Sequence, residues 1–377
     1  MDNAATTRIS RCALRAMEEA AFNCFGNPSA RHSYGREAEK VIREARRAVA
    51  ELMNADPSEV YFTGGGSESD NTILRGAVLS MKKKGKHVIT TAIEHHAVLH
   101  TLEDMQENGI AGITMLPVRE NGIIDPEEIR KAIRPDTVLV SVMFANNETG
   151  AVQPIRPIGA LCRQRGVLFH TDAVQAYSHI PIDVRDMNID FLALAGHKMH
   201  APKGIGAMYI RKGIQIPPLI RGGGQEHGMR AGTENVPGIA ALGAAAREAA
   251  EQMESSAERQ RVLRDYLIDD LTRNIPGCVL NGDRDRRLPN NVNVSFEGVT
   301  GQNLVAALDL RGIAVSAGSA CTAGSVEPSH VLMGMGLSRE RALGALRLTI
   351  SGETTEKEVR EVSAVLQEVV RQLRGKS

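Results

Sequence analysis

Between residues 59 and 215 the chain alternates two kinds of apolar run, and that alternation restricts the fold more than any other feature. VYFTG is followed by TILRGAVLSM, HVITTA by AVLHTLEDM, and ITMLPV by a segment opening at Asp125-Pro126. TVLVSVMFA, the stretch around GALCRQRG, and VLFHTDA continue the series. Short β-rich runs separated by amphipathic ones call for parallel strands with crossover helices, hence a doubly wound, mainly parallel α/β sheet. Asp125, Pro126 and Glu128 fit the cap, first and third positions of a helix start, which supports this register.

The flanks read differently. Residues 36 to 53 place Val41, Ile42, Ala45, Val49 and Leu52 on one helical face, as a core-facing helix does. A long helical stretch runs to about Asn274, followed by strands in VNVSFEG and GIAVSAG. The last helix opens with a Thr355/Glu358 capping box and turns Val359, Val362, Leu366, Val369 and Leu373 inward. The expected division is an N-terminal segment at 1–15 packing with a small domain, a large α/β domain at 16–259, and a smaller α+β domain at 260–377. A chain of 377 residues, 42% of them hydrophobic, can fill two such cores.

Composition excludes several classes. The 45 basic residues balance the 45 acidic ones, which argues against stable nucleic-acid binding or attachment to an anionic membrane. The run Lys82-Lys83-Lys84-Gly85-Lys86 reads as a solvated helix end beside the negative pole of the helix dipole. No apolar stretch approaches a membrane span and the start carries no signal segment, so a cytoplasmic protein is expected. Cysteines 12, 24, 162, 278 and 321 are scattered without a Cys-x-x-Cys pair, against a disulfide framework or structural zinc. If one of them matters, it matters as a thiol.

In open α/β sheets ligands bind beyond the carboxyl ends of the strands. VYFT is followed there by Gly64-Gly65-Gly66-Ser67-Glu68, a backbone with few side chains that can hold an anion such as phosphate. The same stretch lacks the endings of a P-loop or dinucleotide fingerprint, and a plain tight turn explains it equally well. Successive strand ends then carry Glu94-His95-His96, Asn146-Asn147-Glu148, Thr171-Asp172 with Gln175, and Gly196-His197-Lys198. Each has a bland explanation taken singly. The series together does not. A lysine amine condenses with an aldehyde, a carboxylate holds a protonated pyridine nitrogen, and an imidazole lies against a flat heteroaromatic ring. With a phosphate cradle these are the requirements of pyridoxal 5'-phosphate, and Lys198 at the end of the buried run FLALA is the candidate reactive amine. The competing reading is a metal site on the pairs His96/His100 and His197/His200, but no His-Glu-x-x-His pattern or third acidic ligand accompanies them.

DNAATT at 2–7, GNPSARHSYG at 26–35, GSESDN at 66–71, EHHAVL at 94–99, ANNETG at 145–150, HTDAVQA at 170–176, GHKMHAPKGIG at 196–206, GGGQEHGMRAGTEN at 222–235 and SAGSACTAGS at 316–325 resemble cysteine desulfurases of the NifS/IscS type. These are fold-type I pyridoxal phosphate enzymes related to the class V aminotransferases, and the resemblance covers essentially the whole chain. It implies that Lys198 binds the cofactor aldehyde and later moves the substrate Cα proton. It also implies that His95 stacks on the pyridine ring, Asp172 pairs with the ring nitrogen and Gln175 contacts the phenolic oxygen. Gly66, Ser67 and His197 would hold the phosphate, helped by Thr233 from the other subunit of a homodimer. Asn147 and Arg347, in GALRLTIS, would receive the carboxylate of L-cysteine.

The same resemblance makes Cys321 the thiol that takes the substrate sulfur as a persulfide, leaving L-alanine. Its small-residue surroundings suit a loop that approaches the cofactor. The long form of that loop resembles the group that delivers sulfur to iron–sulfur scaffold proteins or to tRNA-thiolation relays. The alternatives are a selenocysteine lyase, another aminotransferase-like enzyme with Cys321 idle, or a silent member serving as a binding platform. Four departures stand out: Ala195 where many relatives have serine, His227 where arginine is commoner, a curtailed leading strand before DNAATT, and the absence of a longer tail after RQLRGKS.

Overall fold

The computed structural model describes residues 1–318, 320–322 and 325–375, with the backbone alone at 320–322, 325 and 326. Two helices, α1 (Arg11–Asn23) and α2 (Ser33–Glu51), precede the large sheet. The sheet's strands are β1 (Val60–Thr63), β2 (His87–Thr91), β3 (Gly112–Leu116), β4 (Thr137–Ser141), β5 (Leu168–Asp172), β6 (Phe191–Ala195) and β7 (Gly206–Ile210). They lie in the order β1-β7-β6-β5-β4-β2-β3. The crossovers hold α3 (Gly66–Ser80), α4 (His96–Glu107), α5 (Pro126–Ala132) and α6 (Ile155–Arg165).

β2, β3, β4, β5 and β6 pair in parallel, as the alternation requires, whereas β7 is antiparallel to both β1 and β6. The reason is the loop 196–205 between β6 and β7, which is shorter than the dozen or more residues a parallel crossover needs. That short return holds the Gly196-His197-Lys198 turn against the end of β6.

Every residue of β2, β4 and β6 is buried. Helices cover both faces, so alternate side chains enter different cores. Leu192 and Leu194 join the core beneath α1, α2 and α6, while Phe191 and Ala193 join the one beneath α3 and α4. On α2, Ile42, Ala45 and Val49 are buried, with Val41 and Leu52 at the margin of the same core.

One helix, α7 (Val236–Asn274), links the two parts. Its Ile239 to Ala246 stretch belongs to the large core, and Leu263, Leu267, Ile268 and Leu271 to a second core. That second core packs around an antiparallel sheet of β8 (Cys278–Leu280), β9 (Asn291–Phe296) and β12 (Ala345–Thr349), with α8 (Gly301–Asp309) and α11 (Glu356–Arg374). Between them lie the pair β10 (Ala320–Thr322) and β11 (Ser325–Glu327), then α9 (His330–Gly334) and α10 (Arg339–Leu343). We propose the domain boundary inside α7, near residue 260. Thr355 and Glu358 form the capping box of α11, and Asp125 caps α5 with Pro126 at its first position. GIAVSAG does not form the expected strand and carries only an isolated bridge between Ser316 and Arg347. Gly312, at φ 73°, turns the chain at its start, leaving too short an extended run for a ladder.

The N-terminal segment touches both parts. Asp2 bridges to Thr349 of β12, Met1 lies against the second core, and the Thr7 and Ser10 amides donate to the His197 and His200 carbonyls. Among the described residues, no helix is long and apolar enough to cross a membrane.

Candidate active site

The carboxyl ends of β2, β4, β5 and β6 open on a cavity of about 310 Å³. His95, Asn147, Asp172, Gln175, His197 and Lys198 line it, with Gly66 and Ser67 from the start of α3 and Arg347 from β12. The large domain thus supplies most of the wall and the small sheet one cation. One expected residue stands elsewhere. Thr233 is exposed, on the segment before α7, and does not line this cavity. The Cys321 side chain lies outside the described residues; its backbone belongs to β10.

Lys198 ends a short turn directly after β6. Its Nζ donates to the carbonyls of Ala4 at 2.5 Å and Ala5 at 2.7 Å. Burial, with the nearby Arg347 cation adding to it, lowers the amine to a pKa of about 8. An amine so shifted is more often in the free-base form that attacks a carbonyl carbon.

Asp172 ends β5, and its Oδ1 accepts from the Val174 amide at 2.9 Å. Burial, and then the neighbouring Asp70, raises its carboxyl to about 7. A cation on the cavity side would reverse that shift. Asp70 is itself raised by burial to about 8, and its Oδ1 lies 3.4 Å from His170 Nε2. Burial pushes His170 down to about 4, so both members favour their neutral forms.

His95 caps α4, its Nδ1 accepting from the Ala97 amide at 3.1 Å, which leaves the ring proton on Nε2. Burial lowers its pKa, as it does for His197, which falls to about 4. His197 shares a hydrogen bond of 3.2 Å between Nδ1 and Thr6 Oγ1. Gln175 Nε2 donates to the Ala4 carbonyl at 3.0 Å, so that one oxygen receives both Gln175 and Lys198.

α3 opens without a side-chain cap, because its cap residue is Gly65, held at φ 154° where a side chain is strained. A Cβ on Gly66 would sit 2.7 Å from Val174 Cγ2, and one on Gly206 would sit 2.7 Å from Gly65 Cα. The glycines let the helix start approach β5 and β7, and the orphan amides of its first turn face an adjoining hollow lined by His197 and Lys203. Such a donor set suits a phosphate. Ala195 also lines the cavity and brings no hydroxyl to it.

The segment after β7 is anchored by a buried pair. Arg46 donates from Nη1 and Nη2 to both Glu226 oxygens, at 2.6 and 2.7 Å, and Glu226 also accepts from the Phe62 amide. Glu226 and His227 both adopt left-handed φ, 47° and 55°, and His227 stands edge-on to Tyr61. The His96 and His100 rings stack with centroids 4.6 Å apart, and among the described residues no group of three or more His, Cys, Asp or Glu is arranged to hold a metal ion.

Sequence reasoning missed the Ala4 and Ala5 carbonyls, Asp2, and Asp70. Asp70 carried a signal, since it falls four residues after Gly66 on one face of α3. The carbonyls carried none, because every residue has one.

A chain with this sheet, this lysine turn and this glycine-rich helix start matches the class-V aminotransferase model over residues 1–362. The cysteine desulfurase IscS of Clostridium botulinum is 47% identical, covering 100% of this chain and 95% of that protein. A solved NifS-like protein superposes with a TM-score of 0.92 at 36% identity, over 98% of each chain. The structure of SspA in complex with cysteine superposes at 0.82 and 37% identity, covering 94% of this chain and 99% of that one. The chain belongs to the class-V aminotransferase family. Within it, the NifS/IscS-type cysteine desulfurases are its group.

Proposed function

We propose that the cavity beside Lys198 takes pyridoxal 5'-phosphate and then L-cysteine, and that the sulfur leaves on Cys321. The enzyme class is a cysteine desulfurase, as the full-length identity of 47% to such an enzyme carries. The observation supporting the site is that a lysine with its pKa lowered to about 8, a buried carboxylate and an arginine line one cavity.

When bound, the cofactor supplies an aldehyde carbon and an electron-withdrawing pyridinium ring that stabilises negative charge at the substrate Cα. The chain's own residues do the rest. Gly66, Ser67 and His197 would hold the phosphate, Asp172 would keep the ring nitrogen protonated, His95 would cover the ring, and Gln175 would donate to the phenolic oxygen. Arg347 and Asn147 fix the substrate carboxylate, which turns the Cα proton toward Lys198 Nζ. Lys198 takes that proton as its free base and later returns it. The Cys321 thiolate would attack the substrate sulfur, the Cβ–S bond would break with its electron pair left on the Cβ side, and proton uptake at Cβ would release alanine while the persulfide stays on Cys321.

Homodimerisation belongs to the same reading. Phe22 and Phe25 are 80% and 68% exposed, and the Phe25 ring lies tilted to that of exposed Tyr34 with centroids 5.1 Å apart, an apolar patch of the kind a partner covers. Thr233, exposed and away from its own cavity, would then reach the partner's phosphate. The acceptor of the sulfur is an iron–sulfur scaffold or a sulfur-relay protein.

The test uses two variants. Lys198→Ala loses the visible absorption of the bound cofactor and all turnover. Cys321→Ala keeps the absorption, and mass spectrometry after L-cysteine finds no protein persulfide. A persulfide retained on that variant sinks the role of Cys321.

A further inference from the structure

Arg347 is held in a frame of fixed partners. Its Nη1 donates to the Asn147 carbonyl at 2.9 Å and its Nη2 to Asp2 Oδ1 at 2.9 Å. That same Asp2 oxygen accepts from Ser316 Oγ at 2.9 Å. The Ser316 and Arg347 backbones exchange two further bonds, of 2.7 and 3.2 Å. Asp2, Ser316 and Arg347 therefore form one knot where the N-terminal segment meets β12. Arg347 Nε is buried and makes no hydrogen bond, and the side chain lines the cavity whereas Asp2 does not.

A guanidinium is a planar fork of five donors, so holding two of its nitrogens sets the plane of the third. Both anchors take one N–H of each terminal nitrogen, which leaves the second N–H of each for a ligand, while Nε stays buried. A single carboxylate oxygen shared between Ser316 and Arg347 is suited to this, because it fixes direction through two bonds at once. Its charge acts the other way, opposing a second carboxylate at the same cation. The arrangement decides between the two effects, since Asp2 stands behind the arginine, outside the cavity wall, with its charge already paired.

We propose that Asp2 is a positioning residue for the substrate carboxylate, holding the Arg347 fork so that its free N–H groups face the cavity. The inference rests on the reading of Arg347 as the carboxylate receptor, and the test separates the two. Asp2→Ala, Asp2→Asn, Ser316→Ala and Arg347→Ala are compared in the cofactor-loaded protein. The readouts are kcat and KM for L-cysteine and equilibrium binding of L-alanine, which has the same carboxylate and amine but no sulfur.

Asp2→Ala should raise KM and weaken L-alanine binding by about tenfold each, with kcat held within about twofold. Asp2→Asn should stay within about threefold of the parent, because an amide oxygen accepts the same two bonds. Ser316→Ala should give a smaller rise of about threefold, and carries the test if Asp2→Ala does not fold. Unchanged or tighter L-alanine binding in Asp2→Ala, or in Ser316→Ala where that variant carries the test, overturns the proposal. So does an Asp2→Asn variant as weak as Asp2→Ala, which would place the effect in charge rather than orientation. Arg347→Ala with unaltered L-alanine binding removes the receptor reading itself.

Discussion

Replacing Asp172 by asparagine should make the cofactor-free protein more stable and the cofactor-binding one less competent. Burial first, and the neighbouring Asp70 second, raise the Asp172 carboxyl from its ordinary 3.8 to about 7. A shift of that size corresponds to roughly 4 kcal/mol of penalty on the charged form. The folded state then holds a proton that the unfolded state has released between those two values. Stability conferred by the protonated acid is therefore lost as pH rises from about 3.8 through about 7. Asparagine keeps the acceptor for the Val174 amide and does not titrate. Urea unfolding of the cofactor-free proteins should show the variant ahead by up to ~4 kcal/mol at pH 8, with the gap shrinking toward pH 5. Titration with pyridoxal phosphate should show the opposite order, with affinity falling about 10- to 100-fold as a charge-assisted bond of ~1.5–3 kcal/mol is lost. A gap that does not change with pH, or a variant binding the cofactor as tightly as the parent, refutes the reasoning.

Two further substitutions probe the site and the frame. Gly66→Ala puts a methyl 2.7 Å from Val174 Cγ2, so the helix start must shift, and cofactor affinity should fall about tenfold or more in the same titration. Arg46→Ala leaves the Glu226 carboxylate buried without its bidentate partner, and chemical unfolding should report a loss of ~3–5 kcal/mol.

Much of the large domain was legible because its periodicity is physical. β4 and β6 bury both faces, so FLALA is apolar throughout and TVLVS is apolar between its terminal Thr137 and Ser141, and the amphipathic runs between strands are the helices that cover them. The direction of β7 was not legible in its own residues, GAMYI, since an apolar strand reads alike in either direction. It followed from the length of the loop before it. GIAVSAG failed for a related reason: β propensity promised a strand, but the small sheet gives Ser316 one bridge and no ladder.

The site divides in the same way. Residue chemistry marked Lys198, Asp172 and His95 as candidates, the family resemblance added Arg347, and their side chains line one cavity. Asp2 and Ser316 bear ordinary polar groups 314 positions apart, and nothing in either stretch announces that they share an oxygen.

The chain's own order of residues determined which groups are available and which strand ends carry them, because backbone periodicity and turn chemistry are local. Which carbonyl quiets the lysine, which carboxylate aims the arginine, and how far burial displaces each proton were decided only when distant segments met. Those quantities depend on distance and on exclusion of water, and neither exists until the fold closes.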